Sequence, residues 1–145
     1  MILPDANILI YAHNPASDQY PTAKTWLEET FAATTMCLAW QTITAFVRIS
    51  TNIRSFPDPY SLREAFDIVD SWLAQPNALI IEPSVKHLTI LKALSIKTNS
   101  SGPKLMDANL AALAIDHGAV LATNDRDFLL FEGLKTINPL AKLKK

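Results

Sequence analysis

Short apolar runs separated by longer stretches of helical periodicity recur along this chain, and that alternation constrains its fold more than any other feature. The runs "ILP" at 2–4, "MCLAW" at 36–40, "ALIIE" at 78–82 and "AVLAT" at 119–123 have the length and apolar content of buried strands. Between them, "NILIYAH" reads as a short helix or turn, and "PTAKTWLEETFAAT" from Pro21 repeats Ala23, Trp26, Leu27 and Phe31 at helical spacing. "QTITAFVRISTN" from Gln41 gathers Ile43, Phe46, Val47 and Ile49 or Ser50 on one side and Thr44, Arg48 and Thr51 on another, so it reads as a helix despite its β-branched content. Strands that alternate with helices form βα units and a mainly parallel sheet, which places the chain in the α/β class.

Local punctuation agrees with this reading. In "RSFPDPYS" at 54–61 two prolines stop a helix, and Ser61 is suited to cap the next one, expected from about Leu62 to Ala74. Ser84 is placed to cap "VKHLTILKALSIKT", with Val85, Leu88, Leu91 and Leu94 turned inward. The loop "NSSGPK" is the clearest mobile break, Pro103 falls in the first turn of the following helix, Gly118 follows its last, and "AVLAT" is the final expected strand. Trp26, Phe31, Phe66 and Trp72 are either core or surface for a partner helix or a second copy.

A chain of 145 residues suits one domain, 1–145, and buries most of the surface its unfolded form exposes. Its single cysteine, Cys37, lies in an apolar run and reads as a small core residue, so no disulfide or zinc framework is needed and a cytoplasmic protein fits. The start "MILPDANILIYAHNP" has no basic segment and meets Asp5, and no apolar run approaches the roughly 20 residues that cross a membrane. Thirteen basic and fourteen acidic residues leave a net charge of -1, without the overall basic footprint of many nucleic-acid binders. Local basic groups remain, Arg48 with Arg54 and the terminal Lys142, Lys144 and Lys145.

The acids are placed more tellingly. In an open parallel sheet, ligands bind beyond the carboxyl ends of the strands. Asp5 follows the first strand, Asp125 and Asp127 follow "AVLAT", and Asp107 opens the helix "KLMDANLAALAIDHG" on a stripe with Ala111 and Ala114, whereas Asp116 points to water. Each alone is a turn or cap residue. Together they repel one another unless a cation sits among them, and an all-oxygen donor set suits Mg2+ or Mn2+ and not zinc. His13, His87 and His117 are scattered and read as structural. A carboxylate-held divalent ion is suited to hydrolysing a phosphodiester, with Thr123 and Asn124 available to bind a phosphate, to orient an aspartate or simply to form the turn.

Taken together, "LPDANILIYA", the phrase W-x-x-x-x-x-F-V-R-I-S-T from Trp40 to Thr51, and "MDANLAALAIDHGAVLATNDRDF" resemble the PIN-domain toxins of the VapC type, and the likeness runs on through "FEGLKTINPL". The resemblance implies a three-layer α/β/α PIN-like domain that cuts RNA with Mg2+ or Mn2+, is blocked by a VapB-type antitoxin and is often a homodimer. By position, Asp5, Asp107 and Asp125 match the family's metal-binding acids, and Asp127 matches the supporting acid of T-x-D-x-D-F. Ala45 stands where many relatives carry glutamate, which implies a weaker or single-ion site; a catalytically weakened module acting by RNA or protein binding is the alternative. Glu82 is a possible substitute acid or a solvated strand end. Arg48 is expected either to touch RNA phosphates near the cleft or to pair with a site aspartate. A receiver-like domain would want a lysine after a late strand, and a haloacid-dehalogenase-type phosphatase a second aspartate where "PDANI" has asparagine.

Overall fold

A computed structural model describes residues 1–141, so the Lys142, Lys144 and Lys145 cluster lies outside the described residues. Five strands, β1 (Ile2–Pro4), β2 (Met36–Leu38), β3 (Ala78–Ile80), β4 (Val120–Ala122) and β5 (Thr136–Ile137), form one sheet in the order β3-β2-β1-β4-β5. Every pairing is parallel, with Leu3 opposite Leu121 and Cys37 opposite Leu79. Six helices accompany them: α1 (Ala6–Ala12), α2 (Tyr20–Ala33), α3 (Trp40–Ser50), α4 (Leu62–Leu73), α5 (His87–Thr98) and α6 (Lys104–His117).

Period-two alternation splits the core between the faces of the sheet. Met36 and Leu38 of β2 pack with Leu9, Leu27, Phe31, Phe46, Val69 and Trp72 from α1 to α4. Cys37, with Leu3 and Leu121, packs instead against α5, α6 and the segment after β4, through Leu94, Leu113, Phe128 and Phe131. The result is a three-layer α/β/α fold. The small residues Ala108, Ala111, Ala112 and Ala114 are buried, which lets α6 lie close against its neighbours.

Several local expectations hold in detail. Ser61 caps α4 in a reciprocal box with Glu64, and Gly118 ends α6 in the left-handed conformation at φ 66°. Others need correction. A fifth strand follows "AVLAT"; at two residues, β5 is too short to leave a periodic signal. α5 begins at His87, because the hydroxyl of Ser84 accepts the Lys86 N–H and the intervening residues form a turn. Val85 is consequently 98% exposed and Leu88 65%, while Ile90, Leu91 and Leu94 face the core. Ser84 also donates its N–H and hydroxyl to Asp116, which is therefore hydrogen-bonded and not merely hydrated. "NSSGPK" is a tight reversal between α5 and α6, with Asn99 left-handed and Ser100 buried against Thr98. Of the four aromatics, Phe31 and Trp72 are core, Trp26 is half-buried, and Phe66 lies on the surface.

Candidate active site

Parallel strands all end at one edge, and the chain leaves β1 and β4 there as neighbours. Asp5, the first residue past β1, donates its N–H to the Ala122 carbonyl of β4 at 2.8 Å and accepts the Ile8 N–H at 3.1 Å, so the sheet and the start of α1 together fix its backbone. Its carboxylate is held across the strand boundary: the Thr123 hydroxyl donates to Asp5 Oδ2 at 3.0 Å. The same hydroxyl oxygen accepts the Asp125 N–H at 3.0 Å, and Asp125 Oδ1 accepts the Asp127 N–H at 2.9 Å, turning the chain into the 3-10 turn Arg126–Leu130. One hydroxyl thus joins the first acid to the third.

Asp107 approaches from the first turn of α6. Burial raises its carboxyl above the ordinary range, and the charges of Asp125, Asp5 and Asp127 raise it further, with Lys104 opposing. Asp5 is raised mainly by burial, against the pull of the Thr123 hydroxyl, with Asp125 adding to the rise. The four predicted acids therefore share one field. They do not form a closed cage: among the described residues no three His, Cys, Asp or Glu side chains stand close enough to hold one ion together. Nor are they neutralised, since the ion pairs among the described residues, Lys24–Glu28 and Lys97–Glu132, lie elsewhere.

Thr123 is 4% exposed and its only hydroxyl proton is committed to Asp5, so it cannot also donate to a phosphate. It holds the Asp5 carboxylate, the second of the roles the sequence left open for it. Asn124 lines a groove of about 320 Å³ beside the acids, together with Asp125, Arg126 and Asn138. Arg48 is exposed on α3 and makes no ion pair among the described residues, so the pairing with a site aspartate is not formed. Glu82 accepts the Trp40 indole N–H and is not among the charges that act on Asp5 or Asp107. The histidines are each tied into the fold, His13 through Trp72 Nε1, His87 through Asn109 and His117 through the Glu82 carbonyl.

A polar chain beside the acids was not foreseen. Gln41 donates to the Met106 carbonyl at 2.8 Å and accepts from Asn109 at 2.8 Å, while Asn109 contacts His87 Nε2 at 2.7 Å. It ties α3 to the turn of α6 that carries Asp107. Gln41 stands four residues before Ala45 on one helix face, a spacing that could have pointed to it.

This arrangement, acids at the carboxyl edge of a five-stranded parallel sheet between helical layers, matches a known family. The PIN domain family profile matches residues 2–134, and the chain belongs to that family. Its relatives there are VapC ribonucleases: it is 36% identical over 144 residues to ribonuclease VapC37 of Mycobacterium tuberculosis, covering 99% of this chain and 100% of that one. Ribonuclease VapC31 of the same species is 36% identical over 143 residues, covering 96% and 99%. Among solved structures, VapBC2 from Rickettsia felis bound to a promoter DNA fragment superposes with a TM-score of 0.68 at 21% identity, over 95% of this chain and 98% of that one. Mycobacterium tuberculosis VapC20, described as a sarcin-ricin loop cleaving toxin, gives 0.68 at 12% identity over 93% and 99%.

Proposed function

We propose that this chain is a metal-dependent endoribonuclease, the toxin of a type II toxin-antitoxin pair, which hydrolyses phosphodiesters of tRNA or rRNA in the cytoplasm. The observation that carries the reading is the set of carboxylates at the edge of the sheet with no ion-pair partner among the described residues, where Asp5 and Asp107 are both raised by burial and by the charge of Asp125. The donor chemistry fits Mg2+ or Mn2+: every candidate ligand is an oxygen, and Mg2+ takes one or two carboxylates and keeps several waters, so a closed cage is not required. Asp5, Asp107 and Asp125 would hold the ion, and Asp127 would add to the field. When bound, such an ion sharpens a water as nucleophile and neutralises charge on the leaving oxygen.

The chain's own groups do the rest. Thr123 fixes the Asp5 carboxylate and, through the Asp125 N–H, the turn that presents Asp125. Gln41 holds the Met106 carbonyl and so the start of α6. Arg48, unpaired and exposed, supplies a guanidinium for a phosphate, and Asn124 an amide in the adjacent groove. A VapB-type antitoxin as inhibitor and a homodimer as the working state complete the reading. It is tested by calorimetric titration with Mg2+ and Mn2+ and by cleavage of pooled tRNA and rRNA, with Asp5→Asn and Asp107→Asn alongside. Saturable binding and cleavage that both variants lose support it; metal binding without cleavage leaves a silent module with Ala45, and no binding removes the metal from the scheme.

A further inference from the structure

The face of α3 turned away from the core does not end in solvent. Trp40, Gln41, Thr44, Ala45 and Arg48 share that face and, with Met106 of α6, line an open groove of about 520 Å³. Trp40 is 53% exposed and Met106, the neighbour of Asp107, 51%, a costly display of apolar surface. The Trp40 ring is also steered: its Nε1 donates to Glu82 Oε1 at 3.3 Å, which anchors the indole edge and leaves the ring in the groove wall. Arg48 closes the other end with no carboxylate partner among the described residues. Trp40 and Arg48 are eight residues apart, so along the helix the groove runs about 12 Å, several times the roughly 3.4 Å rise of one stacked nucleotide. Its wall includes Met106, the residue before Asp107, whose carbonyl Gln41 holds.

We propose that this groove is a single-strand nucleotide subsite, in which an unpaired base stacks on Trp40 and its flanking phosphate is held by Arg48. The proposal rests on the ribonuclease reading and adds to it the chemistry of recognition. An exposed indole offers a π-face that any base can use, and an unpaired guanidinium in the same groove matches a phosphate. Ala45 leaves room where a longer side chain would narrow the groove, so the absence of glutamate there widens the path of the strand. The occupant is then an unstacked stretch of RNA, as expected of proteins that read loops rather than duplexes.

The test is titration of the full chain, in the presence of EDTA, with a short unstructured oligoribonucleotide, read by tryptophan fluorescence and by anisotropy of a 5′ label. Trp72 is buried and Trp26 half-buried, so quenching by a stacked base reports chiefly on Trp40. The expected result is saturable quenching in the native chain, a loss of affinity of roughly tenfold to a hundredfold in Trp40→Ala, and partial recovery in Trp40→Phe, which keeps a stacking ring. An abasic nucleotide at the stacking position reproduces the Trp40→Ala loss. Arg48→Ala weakens binding and flattens its salt dependence. Equal affinity of native and Trp40→Ala chains overturns the subsite, as does a Trp40 effect confined to assembly with a protein partner. Cleavage by the Trp40→Ala chain at saturating RNA, abolished by Asp107→Asn, separates failure of the subsite from failure of the ribonuclease reading.

Discussion

Replacing Thr123 by valine removes one oxygen and almost no volume, yet that oxygen makes two hydrogen bonds that join Asp5 to Asp125. The site is buried, so no repacking substitutes for it. The bond to the Asp125 N–H is of the ordinary kind, about 1 kcal/mol, and the bond to the Asp5 carboxylate is charge-assisted and worth about 1.5–3 kcal/mol. Water reaches the partly exposed Asp5 and recovers part of the second, so the expected loss of stability is about 2 kcal/mol, or roughly 5–8 °C in Tm for a chain of this size. Asp5 also loses the group that most lowers its proton affinity, so its carboxyl rises further. Divalent-ion affinity and cleavage should therefore fall by more than tenfold, while Thr123→Ser, which keeps the hydroxyl, stays within a few-fold of the native chain. The assays are thermal denaturation, calorimetric metal titration and cleavage of a defined RNA. If Thr123→Val cleaves and binds metal as Thr123→Ser does, the hydroxyl bridge does not organise the acids.

Three further outcomes are expected. His13 packs against Phe46 and Trp72, and burial holds it at about pKa 4, so the unfolded chain binds the extra proton first; stability is full above about pH 6.5 and falls as pH drops toward 4, by up to about 3 kcal/mol. The raised Asp5 and Asp107 act in the opposite sense, but they are common to both chains when His13→Gln is compared by urea denaturation; an equal pH slope in the two would rule out the buried imidazole. Ala45→Glu should tighten Mg2+ binding and lower the stability of the metal-free chain, both visible by calorimetry, and unchanged affinity would place position 45 outside the field of the acids. Ser61→Ala breaks the reciprocal cap of α4 and should cost about 1 kcal/mol in chemical denaturation with cleavage intact.

The strands and helices were legible because apolar runs and caps leave local marks: Ser61, Gly118 and the alternation of Met36, Cys37 and Leu38 all act within a few residues. β5 was not, since two residues carry no period and their partner, β4, is supplied by the sheet. α5 was misplaced at its start because a serine that can cap a helix can equally close a turn, and Asp116, 32 residues away, decided between them. The position of the acids at the sheet edge could be read from where strands end. The commitment of the Thr123 hydroxyl could not, because it depends on β1 and β4 being neighbours. The Gln41–Asn109–His87 chain spans three helices, and the spacing of Gln41 to Ala45 within α3 could have pointed to its first member but not to its partners on α5 and α6.

That neighbour relation has a consequence for how the protein is made. Asp5 leaves the ribosome well before the hydroxyl that orients it and the third acid, which follow it by 118 and 120 positions. A growing chain that has reached Gly118 holds helices α1 to α6 in full and still lacks β4 and, beyond it, Thr123 and Asp125. Until β4 docks beside β1 the acids of such a chain have no common edge on which to gather, so the site is completed late in synthesis.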